Sequence, residues 1–206
     1  RRPDGFHELV SLVTFASASD FLVLDPEAET SLSVEGPFAG DLGEDNLVLQ
    51  AARILLEHFP NRQTGAFALD KRLPVAAGLG GGSADAAAAL RLMERATPEA
   101  IPREAISRAA AQLGADVPVC LTSKASVMRG RGDDVMRIAA LPALPAVLVN
   151  PGVALGTRDV FSALRASPVS GTHTPGNTAP ASFETVDELV AGIREIGNEL
   201  EATAIK

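Results

Sequence analysis

The glycine-rich run Gly78-Leu79-Gly80-Gly81-Gly82 constrains the fold of this chain strongly, because an alanine-rich segment follows it directly. Glycine loses more conformational entropy on folding than any other residue, so this run needs a structural reason. Residues 83–96 have strong helix propensity, Ser83 is a favourable N-cap and Asp85 suits a first turn. The pattern predicts a flexible loop that leads into a helix N-terminus, where free backbone N–H groups favour phosphate.

Two common nucleotide-binding motifs do not fit this loop. The P-loop pattern ends in Gly-Lys followed by Ser or Thr, and no lysine follows these glycines. The dinucleotide fingerprint G-x-G-x-x-G fails because Ser83 stands where the third glycine belongs, and Glu94 comes too early for the ribose-binding acid. A tight turn between a strand and the helix is the alternative interpretation, although one glycine would serve for that.

Size and charge limit the classes of function. The 206 residues allow one large domain or two small ones, and 46% hydrophobic residues are enough for a buried core. The net charge of −8 argues against nucleic acid or an anionic membrane as the main partner and leaves room for a small phosphate compound. Cys120 is the single cysteine, which excludes an intrachain disulfide and fits a reducing cytoplasm. No apolar run reaches spanning length and no signal peptide is visible, so we expect a cytoplasmic protein.

Hydrophobic periodicity predicts a mixture of helices and strands. The predicted strands are 9–15, 21–24, 66–69, 125–128, 135–139 and 146–149. The predicted helices are 47–59, with Asn46 as its N-cap, 83–96, 102–113, 157–164 and one that starts near 184. Residues 167–182 are rich in Pro, Thr, Ser and Gly and predict a loop. Because helices and strands do not alternate strictly, we expect an α+β fold rather than a doubly wound sheet.

Asp116 is a candidate catalytic acid or base. It follows the predicted helix stop Gly114 and precedes Pro118, which restricts Val117 to an extended conformation, so we expect a rigid turn. A partly desolvated aspartate there can accept a proton from a hydroxyl group that attacks a phosphoryl group. The alternative interpretation is an ordinary turn acid.

His7 and Phe161 are candidate ligand contacts of a different kind. His7 is followed by Glu8, but the zinc motif H-E-x-x-H is not completed. A histidine beside Phe6 can recognise a planar ligand by hydrogen bonding and stacking, or it is an ordinary polar residue after a turn. Phe161, taken by itself, is more typical of packing than of binding.

Several stretches together resemble the GHMP kinases, a family named for galactokinase, homoserine, mevalonate and phosphomevalonate kinases. The segment Leu73–Ser83 is similar to their phosphate loop. The segments Arg2–Leu9 and Gly114–Pro118 resemble those members that phosphorylate the C2 hydroxyl of a cytidine-diphosphate-linked alcohol in isoprenoid biosynthesis, and Asp45–Val48 and Asn198–Glu201 also fit. The resemblance covers nearly the whole chain.

The resemblance implies a two-domain GHMP kinase fold of the α+β class. Residues 1–143 are expected to form the ATP-binding N-terminal domain, which is similar to domain 2 of ribosomal protein S5. Residues 144–206 are expected to begin a ferredoxin-like C-terminal domain, truncated before its glycine-rich motif. The resemblance also implies a first strand before Arg2, with a lysine that partners Asp116; we expect the N-terminal domain to lack this strand here.

The resemblance also assigns roles to residues. It implies ATP and Mg²⁺, with Asp116 as the general base, and a small-molecule cytidine-diphosphate-linked substrate for a monomer or homodimer. The substrate would be held by Asp116, by His7 hydrogen-bonded to cytosine, by Phe161 stacked on it, and by Phe6 and Thr157 nearby. Ser83 and Asp85 are candidates for unknown metal ligands. The expected ATP-binding residues are Asn46, Leu47, Pro74, Val75, Ala76, Ala77, Gly78, Leu79, Gly80, Gly81, Gly82, Ser83 and Ala84.

Three other functions stay open from the sequence. The chain could be a GHMP kinase of the homoserine or mevalonate type, which has no need for a cytosine-binding pair such as His7 and Phe161. It could be a nucleotide-binding module without turnover. A dinucleotide oxidoreductase is disfavoured by Ser83.

Overall fold

The structure is a computed structural model. It describes residues 7–42, 46–59, 64–96, 100–153, 155–164 and 182–205, with only the backbone of Arg158. Phe6, Asp45 and most of the predicted loop 167–182 lie outside the described residues. The chain divides into two compact units. We call Ala16–Val75 with Leu79–Ser123 the helical unit, and Arg1–Phe15, Ala76–Gly78 and Lys124–Lys206 the hairpin unit. These bounds differ from the predicted division after residue 143, which stays a prediction.

The described residues contain six strands and seven α-helices. The strands are β1 (Leu9–Val13), β2 (Phe21–Asp25), β3 (Ser31–Glu35), β4 (Ala66–Asp70), β5 (Ser126–Gly130) and β6 (Asp134–Arg137). The helices are α1 (Leu47–His58), α2 (Gly81–Ala96), α3 (Arg103–Leu113), α4 (Val117–Thr122), α5 (Thr157–Ala163), α6 (Val186–Ile196) and α7 (Glu201–Ala204).

The helical unit contains one three-stranded sheet and four helices. Its strand β4 leads into residues 71–80, which we call the glycine loop, and the loop leads into helix α2. Strand β4 is central, antiparallel to β2 and parallel to β3. Helix α2 contacts α1, α3 and α4. Its fully buried alanines, Ala86, Ala87 and Ala89, have side chains small enough for close helix packing. The alanine-rich sequence therefore makes α2 the centre of this unit, as well as a good helix former.

The hairpin unit contains an antiparallel sheet in the order β1-β5-β6. Val127 and Ile138 are buried in its core, with Leu12 and Met136 packed against them. Helix α6 begins with a complete capping box, in which Thr185 and Glu188 exchange hydrogen bonds between side chain and backbone. The predicted hairpin at residues 125–139 and the predicted last helix are confirmed.

The structure differs from the predicted elements in one strand that is absent, one strand that was not predicted, and the starts of two helices. Residues 146–149 do not form a strand, and Val147 and Val149 are 86% and 88% exposed. Their apolar pattern fits a strand, but a strand also needs a pairing partner, and none of the described strands pairs with this segment. Strand β3 was not predicted, although the side chains of Ser31–Glu35 alternate between polar and apolar with the period of a strand.

The remaining differences concern the residues at which helices α2 and α4 begin. Helix α2 begins at Gly81, so Ser83 is not its N-cap and Asp85 lies beyond its first turn. The bond from Ala84 N–H to Gly80 O, 2.9 Å long, extends the helix back through the glycines. Val117 begins helix α4 instead of extending, since Pro118 is tolerated in a first helical turn.

Candidate active site

The glycine loop joins β4 to α2 and contains three residues in the left-handed backbone region. Ala76, Gly78 and Gly80 have φ values of 52°, 70° and 70°. A Cβ atom on Gly78 or Gly80 would meet no atom within 4 Å. These glycines are therefore required by the backbone conformation rather than by crowding, and the space beside them is open.

The first amides of α2 are arranged like those of helix N-termini that bind anions. The hydrogen bond of Ala84 to Gly80 is the first of the helix, so the N–H groups of Gly81, Gly82 and Ser83 precede the intrahelical ladder. The helix dipole adds partial positive charge there. Leu47 is adjacent, because its Cδ1 lies 3.4 Å from the position that a Cβ on Gly82 would take. The structure thus brings Leu47 of α1 and the glycine loop together.

Asn46 has a structural role that can be seen directly. Its side-chain Oδ1 accepts a hydrogen bond of 2.8 Å from the N–H of Val48 and caps α1, as the sequence predicts. The cap fixes the first turn of α1, which carries Leu47. A contact of Asn46 with ATP stays a prediction.

Asp116 immediately precedes α4. Arg91 of α2 donates hydrogen bonds to the carbonyl oxygens of Cys120 and Leu121, at 2.7 and 3.4 Å, and so fixes α4 on α2. Although Asp116 is an exposed residue, loss of solvent around its carboxyl group raises its pKa above the usual value. A raised pKa makes this carboxylate a better proton acceptor.

The buried thiol of Cys120 lies near two carboxylates, those of Asp116 and Asp85. Burial, followed by the charges of Asp116 and Asp85, raises the pKa of Cys120 to about 11, while Arg91 opposes them. Both carboxylates therefore lie within electrostatic reach of one sulfur atom. Because the thiol is buried and its pKa is raised, Cys120 is an inert packing residue.

His7 and Phe161 meet in the hairpin unit. Their ring centroids are 5.1 Å apart and the rings are tilted by 34°. Both residues are half-buried, so part of each ring is accessible. Thr157 stands one turn before Phe161 on α5, on the same helix face. The N–H of Leu155, near the start of α5, donates to Ala76 O at 3.1 Å and ties this region to the glycine loop.

Sequence reasoning missed a buried ionic cluster in the helical unit. Lys71 is only 2% exposed, and its Nζ lies 2.5 Å from Oδ2 of Asp20 and 3.0 Å from Oδ2 of Asp85. Burial raises the pKa of Asp85 to about 6 against the opposing effect of Lys71, and the charge of Asp20 raises it further. A lysine just before the glycines was visible in the sequence, but no local pattern pairs it with Asp20.

The described residues contain neither a metal-binding cluster nor a membrane-spanning helix. In that part of the chain no group of three or more His, Cys, Asp or Glu side chains is arranged to hold a metal ion. Asp85, one candidate metal ligand, is paired with Lys71. Among the helices described, none has the length and apolar character to cross a membrane.

Comparison with known proteins decides the family. The GHMP kinases N terminal domain matches residues 46–124. The 4-diphosphocytidyl-2-C-methyl-D-erythritol kinase of Rhodopseudomonas palustris strain CGA009 is 51% identical over 100% of this chain and 71% of its own length. The chain belongs to the 4-diphosphocytidyl-2-C-methyl-D-erythritol kinase family. The Methylobacterium radiotolerans member of that family is 48% identical over 98% of this chain and 70% of its own length.

Solved structures agree with this family. A crystal structure of 4-(cytidine 5'-diphospho)-2C-methyl-D-erythritol kinase matches with a TM-score of 0.70 at 33% identity, over 99% of this chain and 70% of that one. Homoserine kinase from Cytophaga hutchinsonii has a TM-score of 0.53 at 19% identity, over 86% of this chain and 56% of its own. The latter likeness concerns the fold alone. The predicted α+β GHMP kinase fold and the family resemblance are both confirmed.

Proposed function

We propose that the protein is an ATP-dependent kinase that phosphorylates the C2 hydroxyl of 4-diphosphocytidyl-2-C-methyl-D-erythritol in non-mevalonate isoprenoid precursor biosynthesis. The observation that supports a cytidine-containing acceptor is the contact between the rings of His7 and Phe161, whose centroids are 5.1 Å apart. Two half-buried rings from distant parts of the sequence lie side by side, tilted by 34°, and offer aromatic faces and a ring nitrogen that suit a nucleobase. The family membership supports the same acceptor.

The glycine loop and the start of α2 would bind the phosphates of ATP. Backbone N–H groups from Ala77 to Ser83 are the proposed donors, since the N–H of Ala84 is already bonded to Gly80 O, and the dipole of the sixteen-residue helix α2 adds positive potential. Leu47, which lies beside Gly82, would pack near the adenine. Mg²⁺ would neutralise phosphate charge when bound with ATP, and Ser83 is the better candidate to hold it, because Asp85 already pairs with Lys71.

Asp116 would act as the general base. Its carboxylate would take the proton of the C2 hydroxyl as that oxygen attacks the γ-phosphorus. The bond between the γ-phosphorus and the bridging oxygen of ATP breaks, and ADP leaves. The raised pKa of Asp116 suits this role, since a stronger base accepts the proton more readily.

The cytidine end of the acceptor would bind in the hairpin unit. The imidazole of His7 supplies a donor or acceptor for the edge of cytosine, and the accessible face of Phe161 supplies stacking. Thr157, on the same face of α5 as Phe161, would contribute its hydroxyl group. We further propose a cytoplasmic enzyme, as monomer or homodimer, with small molecules as its partners.

The experiment that tests this function measures ADP release by the full-length gene product with ATP and Mg²⁺. Three acceptors are compared: 4-diphosphocytidyl-2-C-methyl-D-erythritol, homoserine and mevalonate. We expect turnover with the cytidine compound alone. Turnover with homoserine or mevalonate would overturn the acceptor assignment. ATP binding without turnover on any acceptor would instead indicate a nucleotide-binding module.

A further inference from the structure

Asp20 fixes the start of the glycine loop through three donors. Its Oδ1 accepts hydrogen bonds from the backbone N–H groups of Arg72 and Leu73, at 2.6 and 2.7 Å. Its Oδ2 accepts from Nζ of Lys71 at 2.5 Å. One carboxylate thus satisfies both of its oxygens on three consecutive residues. The segment Lys71–Leu73 is held in one conformation where β4 passes into the loop.

Lys71 carries this constraint across to the other end of the loop. Its Nζ also donates to Oδ2 of Asp85 on α2, at 3.0 Å. The ammonium group lies close to the first residue of the helix, because a Cβ on Gly81 would stand 3.3 Å from Nζ. Both ends of the glycine loop are therefore bound to a single buried cation.

Stability alone does not explain this cluster. Burying charged groups costs desolvation free energy, and a well-packed apolar replacement is often as stable. Here one lysine faces two carboxylates, so one of the two negative charges has no matching positive charge within the cluster. What the ionic cluster supplies and an apolar one lacks is fixed direction, since each hydrogen bond sets an angle and a distance.

We propose that Asp20, Lys71 and Asp85 are positioning residues that clamp the two ends of the glycine loop, so that its backbone amides converge on the phosphates of ATP. The inference rests on the proposed function, because ATP is the ligand of the loop. The three side chains act through the loop backbone and are not assigned a contact with the nucleotide. A displacement of about 1 Å at such a site can cost on the order of a hundredfold in rate.

The test compares Lys71→Met with Arg72→Met in the full-length protein. Arg72 is the matched control: it is the neighbouring cation, but its exposed side chain pairs with Asp70 and lies over Phe21, 4.3 Å from the ring centroid. Removing that side chain leaves its backbone hydrogen bond to Asp20 in place. Three quantities are measured: the amide hydrogen exchange of residues 74–83 without ligand, the Kd for ATP and the KM for the acceptor.

We expect Lys71→Met to accelerate exchange across residues 74–83 and to weaken ATP binding about tenfold or more, with the KM for the acceptor nearly unchanged. Arg72→Met should do neither. Unchanged exchange or unchanged ATP affinity in Lys71→Met would overturn the clamp. Absence of turnover in a wild-type protein that binds ATP would overturn the proposed function instead, because exchange and ATP affinity still report on the clamp.

A second pair of variants covers the case in which Lys71→Met does not fold. Asp85→Asn keeps an oxygen that can accept from Nζ of Lys71, whereas Asp85→Ala keeps none. The clamp predicts that Asp85→Asn retains ATP affinity and slow loop exchange and that Asp85→Ala loses both. Equal behaviour of the two variants contradicts it.

Discussion

At the scale of the residue, Asp116 is the side chain proposed to act as the general base. It stands before the first turn of α4, where solvent can reach it while nearby protein raises its pKa. Asp85 differs, since it is buried and paired with Lys71. Two aspartates within reach of the same thiol thus have different environments, and their roles follow from these environments rather than from residue type.

Asp116→Asn should lower kcat by about a hundredfold to ten-thousandfold, because the amide cannot accept the hydroxyl proton. The Kd for ATP should stay nearly unchanged, since Asp116 is not assigned a contact with the nucleotide. Steady-state kinetics and calorimetric titration with ATP measure the two effects. A kcat within a few-fold of wild type would remove Asp116 from the role of base.

Asp85 should make stability depend on pH in a direction that is unusual for an aspartate. Its pKa rises from 3.8 to about 6, so the folded protein binds this proton more tightly than the unfolded chain. Its contribution to stability is therefore complete below pH 3.8 and is lost as the pH rises through about 6.

Asp85→Asn removes that titration, while the charges of Lys71 and Asp20 that face it remain. Relative to the variant, the wild type should lose about 1 kcal/mol of unfolding free energy between about pH 5 and about pH 8. Urea denaturation of both proteins at the two pH values measures the difference. Parallel pH dependence in the two proteins would show that Asp85 has an ordinary pKa.

At the scale of elements, α1 and α2 bring the predicted ATP-binding residues together. Helix α2 supplies the first amides, and α1 supplies Leu47 next to Gly82. The small buried alanines of α2 allow this close approach, and the Asn46 cap sets where α1 begins. The residues that stabilise the two helices therefore also shape the surface that is proposed to bind ATP.

Two variants of Asn46 separate its capping role from binding. Asn46→Ala should lower the unfolding free energy by about 1 kcal/mol, because α1 loses its cap, whereas Asn46→Asp should nearly preserve it, since aspartate caps equally well. A contact of the Asn46 amide with ATP predicts weaker ATP binding by Asn46→Asp at unchanged stability. Thermal unfolding and ATP titration measure both quantities. Unchanged ATP affinity in Asn46→Asp would leave Asn46 with the cap alone.

At the scale of the whole molecule, most of the proposed ATP-binding residues and the proposed cytosine-binding residues belong to different units. The helical unit carries α2 and Asp116, and the hairpin unit carries His7 and Phe161. Residues Ala76–Gly78 of the glycine loop belong to the hairpin unit, where Ala76 accepts from Leu155. The chain therefore passes from the helical unit to the hairpin unit and back within this loop.

His7→Ala and Phe161→Ala should raise the KM for the cytidine acceptor about tenfold and leave the KM for ATP within about twofold, since base–aromatic contacts contribute on the order of 1–3 kcal/mol. Phe21→Ala is the matched control, because Phe21 is an exposed phenylalanine of the other unit. Kinetics with each substrate varied in turn measure the split. A larger effect on ATP than on the acceptor would invert the assignment.

The sequence by itself determined the features that local chemistry controls. The Asn46 cap and the 125–139 hairpin depend on neighbouring residues and were predicted correctly. The strand at 146–149 was predicted wrongly because strand formation also needs a distant partner. Only the tertiary structure brought Lys71 to Asp20 and Asp85, and His7 to Phe161. The reason is physical: such contacts join residues far apart along the chain, and only the packed fold sets the distances and the loss of solvent on which ion pairs and pKa values depend.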